Sequence, residues 1–400
     1  MDSGNTAWML MASALVLFMT PGLAFFYGGL VRAKNVISTI MYSFMAMAVV
    51  SVVWVLWGYS LAFGDGNKWI GDLSLVGLSG IDVATDGDTL LFVVFQMMFA
   101  IITPALITGA IVERFKFTTY LIFLVLWITL VYAPIAHWVW AGNGWLFEMG
   151  ALDFAGGTVV HINAGVAALA AAILVGKRRN PASEPHNVPY VVLGAAILWF
   201  GWFGFNAGSG LAANGLAVNA FLVTNTAAAS AALTWGILSQ IQTGRMSAVG
   251  VASGAVAGLV AITPASGFVG VMGALAIGVG AGVFCYGAVL LRAKTNVDDA
   301  LEVVAVHGVG GLWGALATGI FAAAAIGGTA GAIEGNGGQM VTQVVAVVAT
   351  IGYSFVVTVI ILKVLDVIPG LGLRVSEAEE DQGLDLASHG ERAFISDGAD

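Results

Sequence analysis

The sequence predicts an all-α polytopic membrane protein, and three features of its composition lead to this prediction. Apolar residues make up 59% of the 400 residues, charged residues make up only 9%, and the mean hydropathy is +0.94. A soluble domain carries about 25% charged residues, so this chain cannot cover itself with a surface that water wets. Glycine, at 54 residues, is roughly twice as frequent as usual, and small residues let helices approach closely within a bilayer.

Apolar runs long enough to cross a bilayer, about 17–25 residues, divide the chain. Eleven are predicted, near residues 7–31, 40–63, 90–112, 118–140, 156–176, 189–206, 219–240, 247–263, 267–291, 303–326 and 340–365. Since five is an odd number, spans 1–5 (about 7–176) and spans 6–10 (about 189–326) enter the membrane from opposite sides. We therefore expect two inverted five-helix repeats plus a final helix, with a transport path where the repeats meet.

The Lys and Arg residues test this segmentation independently. Of the 14 Lys and Arg residues, only Lys68 follows an even-numbered span. All the others follow odd-numbered spans: Arg32, Lys34, Arg114, Lys116, Lys177, Arg178, Arg179, Arg245, Arg292, Lys294, Lys363, Arg374 and Arg392. Cytoplasmic loops carry the excess of Lys and Arg. We therefore predict a multi-pass protein of the cytoplasmic membrane with its N-terminus outside and its C-terminus inside.

The chain is predicted to consist of a membrane domain, residues 1–368, and a cytoplasmic tail, residues 369–400. From residue 370 onwards the tail holds eight acidic residues against Arg374 and Arg392, a net charge of −6 out of −9 for the whole chain. Such a segment is either a disordered, solvated end or a docking or gating element. The sequence leaves both interpretations open.

Two similar stretches each place a histidine inside an apolar span. His161 lies in Asp-Phe-Ala-Gly-Gly-Thr-Val-Val-His-Ile-Asn-Ala-Gly, residues 153–165, and His307 lies in Val-Ala-Val-His-Gly-Val-Gly-Gly, residues 304–311. A single histidine in a span often satisfies only an interhelical hydrogen bond. Here, however, the two histidines occupy the fifth span of each repeat, so a pseudo-two-fold axis would bring them together. Ionisable residues within spans are typical of functional sites.

Two facing imidazoles in an apolar path restrict the chemistry that they can support. Burial favours the neutral form, and two neutral rings can share one proton and bond to a small polar solute. No carboxylate or cysteine lies at ligand spacing beside either histidine, and the lone Cys285 lies in an apolar run, so we predict no metal site and no cofactor. A cation channel of another kind needs rings of oxygen ligands. A membrane enzyme needs a nucleophile or metal cluster, which the sequence does not indicate.

Aromatic residues are predicted to form an entrance at the outer face. Trp140 ends the fourth span, Phe99 lies in the third, and Phe205 and Ser209 lie at the outer end of the sixth. A tryptophan face beside phenylalanine rings and a hydroxyl can hold a small cation through cation–π attraction. For other tryptophans at this level, an aromatic belt at the membrane interface is the preferred interpretation, and this applies to Trp138 and Trp145.

Four runs of residues resemble the ammonium transporter family (Amt/MEP/Rh), in particular its bacterial and archaeal Amt branch. They are Pro-Gly-Leu-Ala-Phe-Phe-Tyr-Gly-Gly (21–29), Asp-Phe-Ala-Gly-Gly-Thr-Val-Val-His-Ile-Asn (153–163), Gly-Trp-Phe-Gly-Phe-Asn-Ala-Gly-Ser (201–209) and Val-His-Gly-Val-Gly-Gly (306–311). The resemblance covers essentially the whole chain. It implies an eleven-span homotrimer in the lipid bilayer, with one pore in each subunit, that takes up ammonium or methylammonium.

The resemblance also implies a role for each candidate residue. Trp140, Ser209 and Phe99 would form the outer ammonium site, with Asp153 as the acidic residue near it. Phe99 and Phe205 would stack as a gate. The implied mechanism recruits NH₄⁺ at this site, removes a proton, and passes NH₃, with or without a relayed proton.

Three further expectations concern the pore and its cytoplasmic side. His161 and His307 would be the twin histidines that line the narrow pore, supported by Trp202. A PII-type regulatory protein would dock near the tail, while no nucleic acid is expected as a partner. In one departure from the family pattern, Glu302 stands where an Asp is common ahead of the second histidine. The alternative function is an ammonium sensor with low flux, although such a sensor usually carries a signalling domain.

Overall fold

The structure, a computed structural model that describes residues 2–181 and 184–394, is built from helices. Within these residues there is no β-strand, only two isolated bridges. Eleven apolar helices correspond to the eleven predicted spans: α1 Ser3–Leu30, α2 Ala33–Phe63, α3 Gly87–Ala110, α4 117–140, α5 Gly157–Val175, α6 Val188–Gly208, α7 Gly215–Thr243, α8 Ala248–Ile262, α9 Val271–Arg292, α10 Val304–Phe321 and α11 Gly338–Val367. The prediction of an all-α membrane protein is confirmed.

Ten of these helices are long and apolar enough to cross a membrane, and α8 is the exception. At 15 residues it spans about 23 Å, less than the roughly 30 Å of a hydrocarbon core. Among the described residues, ten helices are therefore long enough to be membrane spans. That α8 also crosses the membrane, which would make eleven spans, remains a prediction. The tenth span ends at Phe321 rather than near residue 326, because Ala322 has extended backbone angles and a separate turn, Ala324–Gly327, follows.

Glycines allow α1 and α6, the first helices of the two predicted repeats, to cross in close contact. A Cβ atom on Gly194 would lie 2.2 Å from the backbone nitrogen of Phe26, and one on Gly22 would lie 2.6 Å from Cγ2 of Ile197. Side chains larger than hydrogen cannot fit at either position. The glycine excess in the composition thus allows close packing between helices. This is expected in a bilayer, where the hydrophobic effect does not drive helices together.

The helices α5 and α10 pack against each other in a reciprocal way. Each begins with a π-helical segment, Gly157–Ile162 in α5 and Val304–Val309 in α10, and each π-helical segment packs against the α-helical part of the other helix. A Cβ atom on Gly165 would lie only 2.3 Å from the nitrogen of Gly308. This arrangement is what a pseudo-two-fold relation between the repeats would produce, and π-helical segments are frequent at functional sites.

A buried network of ion pairs joins the loops on one face of the bundle, which we call the tail face. The Glu113 carboxylate accepts hydrogen bonds from the backbone and side chain of Arg32, and Arg178 lies between Glu113 and Asp298. Burial alone would raise the pKa of Glu113, but the hydrogen bonds from Arg32 and the charge of Arg178 lower it below its usual range. The network keeps buried charges paired, which is a condition for burying them at all.

The described part of the tail lies against this same face. The backbone nitrogen of Lys116 donates to the carbonyl of Leu373, and that of Val375 donates to the carbonyl of Arg114. A short helix, α12 (Glu377–Gln382), follows and begins with a capping box at Ser376. Arg374 forms an ion pair with Glu380, whose side chain is buried. The tail is therefore ordered by specific contacts up to residue 394, and residues 395–400 lie outside the described part.

Candidate functional site

The two histidines meet inside the bundle. The Nδ1 atoms of His161 and His307 are 3.2 Å apart, their ring centroids are 5.3 Å apart, and the residues are 1% and 3% exposed. At this distance one Nδ1 donates a proton and the other accepts it, so the pair shares a single proton when both rings are neutral. The Nε2 atom of His161 has no hydrogen-bond partner within the described residues. That nitrogen is available to a small solute.

The space around the imidazoles is narrow and almost entirely apolar. The cavity beside them measures about 10 Å³ and is lined, apart from the two histidines, by Met19, Leu23, Phe26, Ile102, Leu106, Val160, Leu198, Trp202, Phe205 and Val256. Such a volume holds about one water-sized molecule. Trp202 stacks on His161 at 5.4 Å between ring centroids, and its indole nitrogen donates to Thr263 Oγ1 at 2.8 Å. This hydrogen bond fixes the indole as one wall of the cavity.

Two phenylalanine rings close the cavity on the side away from the tail face. Phe99 from α3 and Phe205 from α6 have centroids 4.2 Å apart at an interplanar angle of 34°, and both are fully buried. Phe205 also lies 6.0 Å from the His161 ring. The stacked pair thus joins the Trp140 ring, on one side, to the His161 ring on the other.

Trp140 and Ser209 lie beyond the phenylalanine pair, where both are partly exposed. Trp140 meets Phe99 edge to face at 5.8 Å, and its indole nitrogen donates to the backbone oxygen of Asp153 at 2.9 Å. The Ser209 hydroxyl donates to the carbonyl of Phe205 at 2.8 Å, which leaves the lone pairs of its oxygen as acceptors. The structure thus brings the aromatic and hydroxyl groups of the predicted outer site to one end of the path.

The Asp153 carboxylate is directed into its own helix rather than toward the aromatic rings. It accepts hydrogen bonds from the backbone nitrogens of Gly156, Gly157, Thr158 and Val159 and from the Thr158 hydroxyl. These are the orphan donors at the start of α5, and a carboxylate is the group that best satisfies them. Asp153 therefore fixes where α5 begins, and its contact with Trp140 is made through its backbone oxygen.

Asp299 holds the same place before His307 as Asp153 holds before His161, and the sequence analysis missed it. It lies eight residues before His307, as Asp153 lies eight before His161, and its carboxylate accepts a hydrogen bond from the backbone nitrogen of Val304 at 2.7 Å. Burial raises the pKa of Asp299 to about 6. The equal offset from the two histidines is the signal in the sequence that identifies this residue.

Glu302 lies at the wall of a second cavity, between the His307 ring and the tail face. This cavity measures about 250 Å³ and is lined by residues that include Tyr27, Trp235, Ser253, Glu302 and His307. Glu302 has a positive φ of 63° and forms a two-point ion pair with Arg292. Burial raises its pKa to about 7, although Arg292 opposes this shift.

Comparison with known proteins identifies the family. The model of the Ammonium Transporter Family matches residues 7–394. The chain belongs to the ammonium transporter family. It is 49% identical over 398 residues to ammonium transporter Amt1 of Archaeoglobus fulgidus, covering 98% of this chain and 100% of that protein. The resemblance stated from the sequence is confirmed, and the protein is a transporter rather than an enzyme.

Solved structures of the ammonium transporter family share its fold. The crystal structure of Mep2 from Saccharomyces cerevisiae matches with a TM-score of 0.92 and 40% identity, covering 100% of this chain and 93% of that one. A structure titled Sensor Amt Protein matches with a TM-score of 0.88 and 33% identity, covering 96% and 98% of the two chains. The fold is therefore shared with solved members of the family.

Proposed function

We propose that this member of the ammonium transporter family takes up ammonium by recruiting NH₄⁺ at Trp140, Phe99 and Ser209 and passing NH₃ along His161 and His307. One observation carries the proposal: the Nδ1 atoms of the two histidines are 3.2 Å apart in an apolar cavity of about 10 Å³. A hydrated cation does not fit there. A molecule of ammonia does, and it can donate to or accept from an imidazole nitrogen.

The same geometry supports a physical basis for selectivity against K⁺. An aromatic site binds NH₄⁺ and K⁺ through the same cation–π attraction, so it discriminates poorly. Only NH₄⁺ can lose a proton before the apolar segment. A charge at the bilayer centre costs at least ~2.5–3.5 kcal/mol, which corresponds to roughly a hundredfold preference. The proton left behind is either released outside or relayed separately, and the histidine pair offers a route for the second case.

In this proposal Asp153 acts through position rather than through direct contact with the cation. Its carboxylate holds the start of α5, and its backbone oxygen holds the Trp140 indole. The negative charge at this depth also favours a cation at the outer site. The gate is formed by Phe99 and Phe205, whose rings must separate to admit the solute. Trp202 keeps the His161 ring oriented toward the path.

We further propose that the protein crosses the cytoplasmic membrane eleven times, with its N-terminus outside, and assembles as a homotrimer. Arg and Lys residues cluster at the tail face, where Arg32, Arg178 and Lys116 make their contacts, and the positive-inside rule makes this face cytoplasmic. A PII-type regulatory protein is the proposed partner at this face. The cavity beside Glu302 and the ordered tail offer it a surface with defined shape.

The second candidate is an ammonium sensor with low flux. A likeness to a structure titled Sensor Amt Protein, at 33% identity, favours keeping this alternative. The two candidates share the pore residues and differ in the rate of transport. A flux measurement therefore separates them.

The test uses purified protein reconstituted in lipid vesicles, with matched gradients of ammonium, methylammonium or K⁺. We expect flux of ammonium and methylammonium, and none of K⁺ above empty vesicles. Equal K⁺ conductance at matched concentration would contradict the deprotonation mechanism. Binding of ammonium without measurable flux would instead favour the sensor.

A further inference from the structure

A third cavity, which we call the outer cavity, borders the Trp140 indole at the end of the path away from the tail face. Its walls are the end of α2, the loop after it, the start of α3 and the turn after α4, and Tyr59, Phe63, Asp65, Phe92 and Asn143 line it together with Trp140. It measures about 500 Å³, against about 10 Å³ beside the two histidines. The outer cavity therefore has room for molecules that the narrow part of the path excludes.

Four aromatic rings from three helices line the outer cavity. The ring centroids of Phe63 and Phe92 are 4.9 Å apart at an interplanar angle of 78°, and those of Tyr59 and Phe63 are 5.5 Å apart. Tyr59 is buried, and Phe63, Phe92 and Trp140 are half-buried, so these rings face one another rather than standing separately in a belt at the membrane surface. A cavity lined by several aromatic rings is the form in which proteins bind quaternary ammonium groups, through cation–π attraction.

The charged groups around the outer cavity also favour a cation. The exposed side chain of Asp65 contributes a carboxylate to the lining, and among the described residues that line the cavity none is basic. Lys68, the basic residue of the same loop, lies over the ring of Trp69, with its Nζ atom 5.2 Å from the ring centroid. A ligand in the outer cavity thus meets aromatic rings and one negative charge, which disfavours an anion.

The loop that carries Asp65 is held in place by hydrogen bonds to α4 and to the turn that follows it. The Asn143 side chain donates to the backbone oxygen of Asp65. The two ring nitrogens of His137, a buried residue of α4, lie 2.9 Å from the carbonyl oxygen of Ala62 and 2.6 Å from that of Asn67. These contacts fix the loop on both sides of Asp65, so the walls of the outer cavity are formed before any ligand arrives.

We propose that the outer cavity binds organic ammonium cations that are too large for the pore, such as tetramethylammonium, and that a cation bound there competes with methylammonium for Trp140. The rings of Tyr59, Phe63 and Phe92 would surround the methyl groups, and Asp65 would balance the charge. The competition rests on the proposed function, because it assigns Trp140 to the outer ammonium site. Binding itself does not depend on transport, so the two can fail separately.

Binding is tested with tetramethylammonium and the purified full-length protein in phosphatidylglycerol bilayers, by saturation-transfer NMR on the methyl protons, with NaCl keeping the ionic strength constant. We expect saturable binding. Its Kd should rise at least threefold in Asp65→Asn, which removes the charge, and at least threefold in Phe92→Leu, which removes an aromatic face but keeps an apolar side chain.

Asp82→Asn is the matched control, because Asp82 is an exposed residue of the same loop that does not line the outer cavity. It loses the same charge, and its Kd should stay within twofold of the wild-type value. Absence of saturable binding to the wild-type protein would overturn the proposal, and so would equal affinity in Asp65→Asn and Asp82→Asn. Because Asp65 is exposed, this comparison decides the matter even if Phe92→Leu does not fold.

A choline headgroup carries the same quaternary ammonium chemistry, so the titration is repeated in phosphatidylcholine bilayers. Equal affinity in the two lipids assigns the outer cavity to cations from solution, whereas a Kd raised at least threefold in phosphatidylcholine assigns it to the lipid headgroup.

The competition is tested by uptake of methylammonium into phosphatidylglycerol vesicles. Tetramethylammonium should raise the KM at least threefold at a concentration of several times its Kd, with the maximal rate unchanged. This inhibition should weaken in Asp65→Asn and not in Asp82→Asn. An unchanged KM at saturating tetramethylammonium would overturn the competition. Saturable binding to a protein that shows no uptake would instead contradict the proposed function and leave the outer cavity as a cation site.

Discussion

The starts of α5 and α10 share one layout and differ in how well it is stabilised. In each, a buried aspartate caps a π-helical segment, a residue with positive φ follows three positions later, and a histidine follows eight positions later. In α5 the Asp153 carboxylate accepts from five donors. In α10 the Asp299 carboxylate accepts from Val304, and its Oδ1 atom has no partner within the described residues.

The residue with positive φ shows the same contrast. In α5 it is Gly156, at 114°, and in α10 it is Glu302, at 63°. A side chain in the left-handed region costs about 1–2 kcal/mol, which the ion pair between Glu302 and Arg292 partly offsets. The two histidines thus hold similar positions, although the Asp153 carboxylate is fully hydrogen-bonded and the Asp299 carboxylate is not. We infer that the α5 side is more rigid and less tolerant of substitution, and the predictions below test this difference or the groups that the two helix starts position.

The largest effect is expected from Asp153→Ala. Removing a partner from a buried donor costs about 1–3 kcal/mol for each unmade bond, so the loss of five should exceed ~4 kcal/mol and abolish folded, active protein. Asp299→Ala removes one bond together with a poorly satisfied carboxylate, and it should leave a folded protein with reduced flux. Thermal unfolding in detergent and vesicle uptake provide the measurements. Equal losses in the two variants would contradict the comparison.

The next effect concerns selectivity, and it tests whether the two histidines act as equals. In His161→Asp and in His307→Glu, an ionisable carboxylate enters the apolar path and offsets the desolvation of a bare cation. Both variants should conduct K⁺, with the roughly hundredfold preference for ammonium lost. Parallel ammonium and K⁺ currents across lipid bilayers measure this. If either folded variant still preferred ammonium over K⁺, the pore would have to discriminate between them at another position.

A smaller effect is expected at the residue with positive φ. In Gly156→Ala the new Cβ would lie 2.6 Å from Cγ2 of Val160, and strain and overpacking together should cost about 2–4 kcal/mol. In Glu302→Gly the relief of strain and the loss of a partly exposed ion pair should nearly cancel, to within about 1 kcal/mol. Unfolding midpoints of the two variants give the answer. A larger loss in Glu302→Gly would show that its ion pair, rather than its backbone, dominates.

A further effect is a dependence of stability on pH at the tail face. Burial raises the pKa of Asp299 to about 6 and that of Glu302 to about 7, whereas an unfolded carboxyl titrates near ~4. The folded protein then binds more protons than the unfolded chain between these values. The contribution of these two carboxyl groups to stability should therefore fall as pH rises from about 4 to about 7. Glu302→Gln should reduce this slope, measured as unfolding midpoints against pH.

The matched control for the pH series is Glu377→Gln. Glu377 is exposed and forms its ion pair with Arg179 at the protein surface, so its removal should leave the slope unchanged. The same slope in wild-type and Glu302→Gln protein would show that the Glu302 proton does not contribute to stability.

The sequence by itself determined the membrane class, the positions of the helices and the matched histidines. Helix positions follow from local composition, because every span must be apolar over about 20 residues regardless of what it packs against. The positions of His161 and His307 in equivalent spans likewise followed from counting the apolar spans along the sequence. The predicted boundaries agree with the structure to within four residues, except at two places. The second span begins at Ala33 rather than near residue 40, and the tenth ends at Phe321 rather than near residue 326, where the two alanines that follow give no signal in composition.

Only the tertiary structure decided which polar groups meet. The contact between His161 and His307 joins residues 146 apart in the chain, and that between His137 and Asn67 joins residues 70 apart. Neither distance can be derived from spacing along one helix. The role of Asp299 and the hydrogen bonds of His137 depend on which backbone atoms lie opposite them. Hydrogen bonding is short-ranged and directional, so composition predicts that such groups need partners, while the fold alone supplies them.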